Sequence, residues 1–575
     1  MKMRLIKRRA LTVGSMTAVC LLPVFLSGQV QMPQYLGGKH VQMSGSAMLF
    51  GELYGIHGAD RRRPPSTARI AVNPMFSIGK LMTLSADLVL STEGSEMRQN
   101  MNILGLHPVW AWGRAHLGDY ADQFAQLTLN GVNVKGGEVD LYPANFRFTL
   151  GGGRTKRAVE GYALEQSYAQ YLLAGRIGYG NTKKNYVDIH FVKVKDDIGS
   201  LPETPQGWDY PIVNPDTLQA EEDTLWIDRT FTRVRTAPQE NLVLGCVLHF
   251  SLPSRMHLSV EASASAYTKD LYAEAVPLDS VEMPGMVRDM MDMAFTPRRS
   301  SFGDYAVNSN LEMDFFGAKT QLGYRYIGPG YISLGTPSTL NDRREMTFGT
   351  SFKWGPHRIQ VRMTRFTDNL LGQRETTNLR HQVRTGINSM FGRWRSVIQI
   401  NGLFLANDTP SDSLAYDFKT WIITTQQGLV FGPDSWVRQV GLQYTFQQSK
   451  KEKWLQDTDA TYHTVNLTGQ FKQLWKIDAN LSVGLSFRDP ETGASFTSQV
   501  YALRLTNRAL NNRLMTSLFS TSSLIRDTRM IQTGLTAGYR LTDKAQIHLN
   551  VSSNVFRGPR DFEELRSSLR LSHQF

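Results

Sequence analysis

The sequence predicts an all-β fold, a large single-chain antiparallel transmembrane β-barrel of about 22–26 strands, even in number. Three observations carry that prediction. From about residue 240 onward the chain is a series of 10–14-residue segments in which apolar and polar residues alternate between turn residues. A period of two marks a strand with one apolar and one wet face. The segments are too long for soluble strands of about five or six residues, and they match the roughly 9–11 residues of a strand tilted across a bilayer. Many end on an aromatic ring, among them Trp354, Trp394, Trp436, Trp475, Tyr539 and Phe575. Rings of this kind collect at a lipid–water boundary.

Taken in chain order, residues 1–28 read as a secretory signal peptide. Lys2, Arg4, Lys7, Arg8 and Arg9 form a basic start, residues 10–26 are largely apolar, and small Ser27 and Gly28 precede Gln29. Residues 29–575 are then the barrel. Within it, 40–195 is less regular, with candidate strands near 41–54, 67–78, 81–92, 101–113, 122–133, 137–151, 168–179 and 185–195. Gly is dense there, as in Gly151-Gly152-Gly153, which suggests bends or close backbone approach. The alternation of Tyr171, Leu173, Gly175, Ile177 and Tyr179 favours wall over plug.

Residues 196–240 read as a long acidic loop with Pro202, Pro205, Pro211 and Pro215, and 276–304 as a second long loop with a methionine cluster. Loops this long are uncommon unless functional. Both are placed on the outer face or folded into the lumen. The later segments alternate cleanly. Across 475–488 the odd positions are Trp, Ile, Ala, Leu, Val, Leu and Phe, against Lys, Asp, Asn, Ser, Gly, Ser and Arg. The last segment, 565–575, sets Leu565, Leu569, Leu571 and Phe575 on one phase and Arg566, Arg570 and Gln574 on the other.

Bulk properties agree. Mean hydropathy is −0.30, and no window past the N-terminus approaches the 18 apolar residues of a spanning helix. A barrel needs no such window, because its lumen-facing residues are polar. Residues 1–28 hold five cations and no acid, so their removal lowers the formal charge from +12 to +7. No Lys/Arg run is interleaved with aromatics, so nucleic acid is not expected as a partner. Cys246 is then the one remaining cysteine, which excludes an internal disulfide and a cysteine zinc site.

No catalytic motif, metal-ligand spacing or phosphate loop appears, so the chain does not read as an enzyme and no cofactor is expected. The charged residues on the polar phases carry more information. Glu312 and Asp314 oppose an apolar phase of Leu311, Met313 and Phe315. Lys319, Arg325, Arg358, Arg362, Arg380 and Arg384 occupy the polar phases of the next segments. A charge on the lipid face costs about 2–4 kcal/mol near the midplane, so these eight residues are expected to line the lumen. Two readings follow. In one, acids from one strand and a ladder of arginines form an eyelet whose cation excess favours anions. In the other, the charges pair across strands as structural cross-links in a closed lumen.

The export signal, the alternating strands and the terminal aromatic strand together resemble bacterial outer-membrane β-barrel proteins. In that resemblance Leu569, Leu571 and Phe575 look like the C-terminal signal read by the barrel-insertion machinery. Gln29 at the expected new N-terminus looks like exported proteins of the Bacteroidota. The resemblance implies the Gram-negative outer membrane as location, with its lipid, lipopolysaccharide and insertion machinery as partners. The first functional reading is a porin-like channel for passive passage of small solutes, with anions favoured by the arginine ladder. The alternative is a non-conducting barrel that serves as subunit or surface scaffold of a secretion or adhesion assembly.

Overall fold

A computed structural model describes residues 41–575 apart from 80, 94–101, 160–165, 202–236, 253–254, 278–293, 412–413, 433–434, 453–458, 475–476 and 491–493. The first strands are β1 (Val41–His57), β2 (Ser66–Ile78), β3 (Met82–Ser91), β4 (Ile103–Trp110), β5 (Gly113–Ala121), β6 (Asn133–Leu141), β7 (Phe146–Lys156), β8 (Ala169–Gly180) and β9 (Tyr186–Asp197). There follow β10 (Glu240–Leu252), β11 (Met256–Thr268), β12 (Ser301–Phe315), β13 (Ala318–Ile327), β14 (Arg343–Trp354), β15 (His357–Asp368), β16 (Thr377–Phe391), β17 (Trp394–Asp408) and β18 (Asp417–Val430). The last are β19 (Val437–Glu452), β20 (Ala460–Leu474), β21 (Ile477–Pro490), β22 (Phe496–Ala509), β23 (Leu514–Ile525), β24 (Thr528–Arg540), β25 (Ala545–Arg557) and β26 (Phe562–Gln574).

Each strand pairs antiparallel with its neighbours in sequence, and β26 pairs back onto β1, from Ser46↔Gln574 to His57↔Glu563. This 26-stranded sheet is closed. Closure matters in lipid, where an unpaired backbone edge has no water to satisfy it. No helix among the described residues is long and apolar enough to cross a membrane.

Connections after even-numbered strands are short, such as 111–112, 316–317 and 392–393. The long ones, 92–102, 122–132, 157–168, 198–239, 269–300 and 328–342, all follow odd-numbered strands. The barrel thus has a short-loop rim and a long-loop rim. Trp112, Phe316, Trp354, Trp394 and Trp436 stand exposed at the short-loop rim.

The two phases of each strand meet different surroundings. On β8 and β9 the outward residues Leu173 and Ile189 are 48% and 65% exposed, whereas the inward neighbour Val192 is 0% exposed. Aliphatic residues turned outward need lipid around them. Those turned inward here are covered by chain inside the lumen. The glycine run has a local cause. Gly136 and Gly137 stand opposite Gly153 and Gly152, and a Cβ on Gly136 would lie 2.0 Å from the Gly152 carbonyl oxygen.

The structure corrects three assignments in 40–195. Segments 101–113 and 137–151, read as single strands, each contain a tight turn, at 111–112 and 142–145. Segment 122–133, read as a strand, is instead a loop folded into the barrel. Its apolar residues alternate because they pack on the inner wall rather than on lipid. Residues 1–28 and most of loops 196–240 and 276–304 lie outside the described residues.

Candidate functional site

Two connections from the long-loop rim fill one side of the lumen. The first, 122–132, turns back on itself through a bridge between Ala125 and Leu129. The second is the strap 328–342. Tyr120, Leu129, Val134, Leu172, Ala174, Val192 and Val194 form one core, with Phe124, Val132 and Leu334 packed against it. Leu127, Val243, Ala306, Ile327 and Tyr331 form the other. Both clusters therefore sit inside the barrel, between the inner wall of β5–β13 and the two loops.

Polar groups there are matched closely, as burial demands. Glu261 on β11 accepts from Leu127 N at 2.6 Å and Gln126 N at 3.2 Å. The Tyr331 hydroxyl donates to Leu127 O at 2.7 Å and meets Ser263 Oγ at 2.8 Å. Burial pushes the Tyr331 phenol above its ordinary pKa. Ser333 Oγ donates to Thr128 O at 2.9 Å, and Asn241 Nδ2 donates to Ile332 O at 2.9 Å. Asn130 N donates to Gly335 O at 2.9 Å, joining loop to strap.

On the inner wall of β5–β9 several charges are neutralised across strands, while buried Glu138 keeps one carboxylate oxygen without a hydrogen-bond partner. Asp140 accepts from Arg114 Nε at 3.0 Å and lies 3.3 Å from Arg176 Nη2. Arg147 reaches Asp188 at 2.5 Å. These are the cross-links of a closed wall.

The inner wall of β12–β16 is different. Cross-strand register sets out a row Glu312, Gln321, Gly349, Arg362, Arg384 and Asn401. Nearer the long-loop rim runs a second row of Asn308, Arg325, Glu345, Phe366 and Arg380. Glu312 and Arg362 are three strands apart, about 14 Å at the usual strand spacing. Arg362 faces Arg384 directly, and Lys353 faces Arg358. Like charges directly opposite are destabilising.

Among the described residues, none of Arg325, Arg343, Arg358, Arg362, Arg380 or Arg384 has a carboxylate within 4.0 Å. Of the nearby acids, Asp342 pairs with Arg374 at 3.2 Å and Asp368 with the Asn378 backbone and side-chain amides, while Glu345 stays on this wall, opposite Arg325 in register. The Nε atoms of Arg325 and Arg343 are buried without a hydrogen-bond partner. Arg343 lies over the Phe366 ring at 5.3 Å. Arg384 is steadied by Gln382, whose carbonyl, turned toward it, accepts from Nε at 3.1 Å and Nη2 at 2.9 Å.

Three adjoining cavities follow this wall. One of about 300 Å3 lies between Gln123, Gln126 and Asn130 of the loop, the strap, and Arg325 and Arg343. The next, about 500 Å3, shares Arg343 and Leu340 and adds Glu345, Arg362, Arg380 and Arg384. The last, about 700 Å3, shares Arg362 and holds Glu312, Asp314 and Lys319. Seven of the eight residues singled out in the sequence thus line these three adjoining cavities. Arg358 lies apart from it, opposite Lys353 and Asn388. Asp314 lies 3.9 Å from Arg255, and Glu312 accepts from Asn310 at 3.0 Å.

Sequence reasoning missed Arg343, Glu345 and the loop residues of this site. The doublet Arg343-Arg344 held a signal, since adjacent strand residues point to opposite faces. No local pattern marks 122–132 as an inward loop. Leu569 and Leu571 share the outward phase of β26, and Phe575 closes the seam through reciprocal backbone bonds with Gly45 at 3.1 Å.

No family model and no curated protein matches the chain. Among solved structures it is similar to the translocation pore of the P pilus usher PapC, at 11% identity and TM-score 0.33, over 92% of this chain and 99% of that one. It is similar to the siderophore receptor PirA from Pseudomonas aeruginosa, at 10% identity and TM-score 0.39, over 93% and 80%. It is also similar to the outer membrane protein OpdK from Pseudomonas aeruginosa, at 9% identity and TM-score 0.28, over 59% and 94%. All three are bacterial outer-membrane barrels. At such scores the functional reading rests on this chain's own residues.

Proposed function

We propose that the chain is a channel of the Gram-negative outer membrane that passes small anionic solutes along the arginine-lined inner wall of β13–β16. One contrast carries the reading. Arg114, Arg176 and Asp140, and Arg147 and Asp188, on the inner face of β5–β9 are ion-paired, whereas among the described residues Arg325, Arg343, Arg362, Arg380 and Arg384 on β13–β16 have no carboxylate within 4.0 Å and line adjoining cavities. Opposed, uncompensated cations are costly in a wall whose purpose is only to hold together. They are useful where an anion supplies the missing charge, as charged rings in pores do. The inward loop and strap narrow the passage on the long-loop side, and the Glu312/Asp314 end of the wall sets the opposing charge. Export through cleavage of residues 1–28, and insertion directed by Leu569, Leu571 and Phe575, belong to the same proposal.

The test is a charge change at the directly opposed pair. Arg362→Gln/Arg384→Gln is expected to lower the chloride-over-potassium permeability ratio of reconstituted protein while leaving it folded. An unchanged ratio in a conducting barrel sinks the anion pathway. The packing of loop and strap also fits a second reading, a sealed barrel acting as a scaffold for a surface assembly. Folded protein that never conducts would favour that one.

A further inference from the structure

The outward face of β13–β16 carries a feature that a channel wall does not need. Arg344 and Arg365 stand exposed on the lipid-facing phase, next to Met346, which pairs with Arg365. Arg365 in turn pairs with His381. Neither arginine has an ion pair among the described residues. Among β13–β17 the outward phase carries one acid, Asp408, at the end of β17.

Depth places the two cations. Arg344 and Trp354 bracket β14. Ten residues span about 34 Å along a strand, or about 24 Å in height at the tilt of a membrane barrel. That is close to the roughly 25 Å apolar band of such barrels. With Trp354 at the short-loop rim, Arg344 sits at the opposite boundary and Arg365 just below it, where lipid headgroups lie. Beneath them is an outer groove of about 500 Å3, lined by Leu322, Tyr324, Met346, Phe348, Met363 and Val383, with Arg365 and His381 at one end.

We propose that this groove is a seat for one phosphate-bearing lipid of the leaflet on the long-loop side. Its anionic headgroup lies on Arg344 and Arg365, and an acyl chain lies in the groove. The argument is charge complementarity. A guanidinium facing lipid without an acid beside it finds its counterion in the headgroup layer, where juxtamembrane arginines favour anionic lipid. The apolar channel directly below accepts the chain that the headgroup brings.

Native mass spectrometry of detergent-purified protein offered equal phosphatidylglycerol and phosphatidylcholine tests this without reference to conduction. Wild type is expected to retain phosphatidylglycerol preferentially. Arg344→Gln/Arg365→Gln is expected to reduce that preference about thirtyfold. Val383→Trp, which fills the groove and keeps both charges, should reduce retention of both lipids. Heat-modifiable gel mobility confirms that each variant is folded. Equal retention of the two lipids by wild type, or a preference untouched by the arginine changes, overturns the site. Retention unaffected by Val383→Trp overturns the groove as the chain's seat. Displacement of the lipid by inorganic phosphate at equal concentration would show an ion site only, and would also overturn it.

Discussion

Replacing Glu261 by Ala should release the inward loop and widen the passage. Glu261 is buried on β11, and its carboxylate accepts the backbone N–H groups of Gln126 and Leu127. Hydrogen bonds to a charged group contribute about 1.5–3 kcal/mol each, so losing both removes roughly 3–6 kcal/mol from the closed position of the loop. At about 1.4 kcal/mol per factor of ten, the opening equilibrium shifts by roughly 10²–10⁴. Loop packing remains, since Leu127 is 0% exposed and still fills its place beside Val243 and Ile327. The expected result is a loop that opens often without being lost. Hydrogen exchange of a peptide covering 122–132 should accelerate by a factor in that range, and single-channel conductance should rise with more frequent large steps. Glu261→Gln keeps one acceptor and should fall between. If 122–132 exchanges at the wild-type rate in Glu261→Ala, the carboxylate does not hold the loop and the reasoning fails.

Three further outcomes follow from the geometry. Glu52, buried on β1, holds Arg566 of β26 at 2.7 Å and lies 3.7 Å from Arg63. Because Arg566 is 44% exposed, Glu52→Ala should cost only about 1–2 kcal/mol, read as a lower temperature for the gel-mobility shift, and no shift would mean the seam is held by backbone alone. Gly118 adopts φ +90, and a Cβ there would lie 2.1 Å from the Leu104 carbonyl oxygen, so Gly118→Val should reduce the folded yield sharply. Tyr142, in the 142–145 turn, has its phenol pushed up to about 12 by burial and by its hydrogen bond to Asp140. The protonated form is favoured in the fold, so the contribution is intact below the ordinary value of about 10 and is lost as pH rises through about 12. Ultraviolet difference titration of wild type against Tyr142→Phe should place the missing phenolate in that upper range, and a step near 10 would contradict the contact.

The barrel was legible because a membrane wall imposes a strict period of two on long strands. Where both faces met the surroundings assumed, the strand bounds came out within a few residues, as for 357–366 against His357–Asp368. The same logic put Arg362, Arg380 and Arg384 on polar phases, and the three line one cavity. It failed where an inward face is covered by protein. At 122–133, Phe124, Ala125, Leu127 and Leu129 are as apolar as a lipid-facing strand, and periodicity cannot distinguish lipid from a packed inner wall. Turns 111–112 and 142–145 were missed because apolar residues such as Trp110, Trp112, Leu141 and Tyr142 run up to them or through them. The long loops 196–240 and 276–304 drew attention by length. The loop and strap described inside the lumen are instead 122–132 and 328–342, whose roles depend on partners on β10, β11 and β13 that no local pattern shows.

The central claim is an open, anion-preferring passage along the arginine wall. Reversal potential of the purified protein in a planar bilayer under a potassium chloride gradient tests it most directly. Discrete conductance steps that reverse toward the chloride equilibrium potential are the predicted result. A reversal toward the potassium potential, or folded protein that shows no conductance, would contradict it.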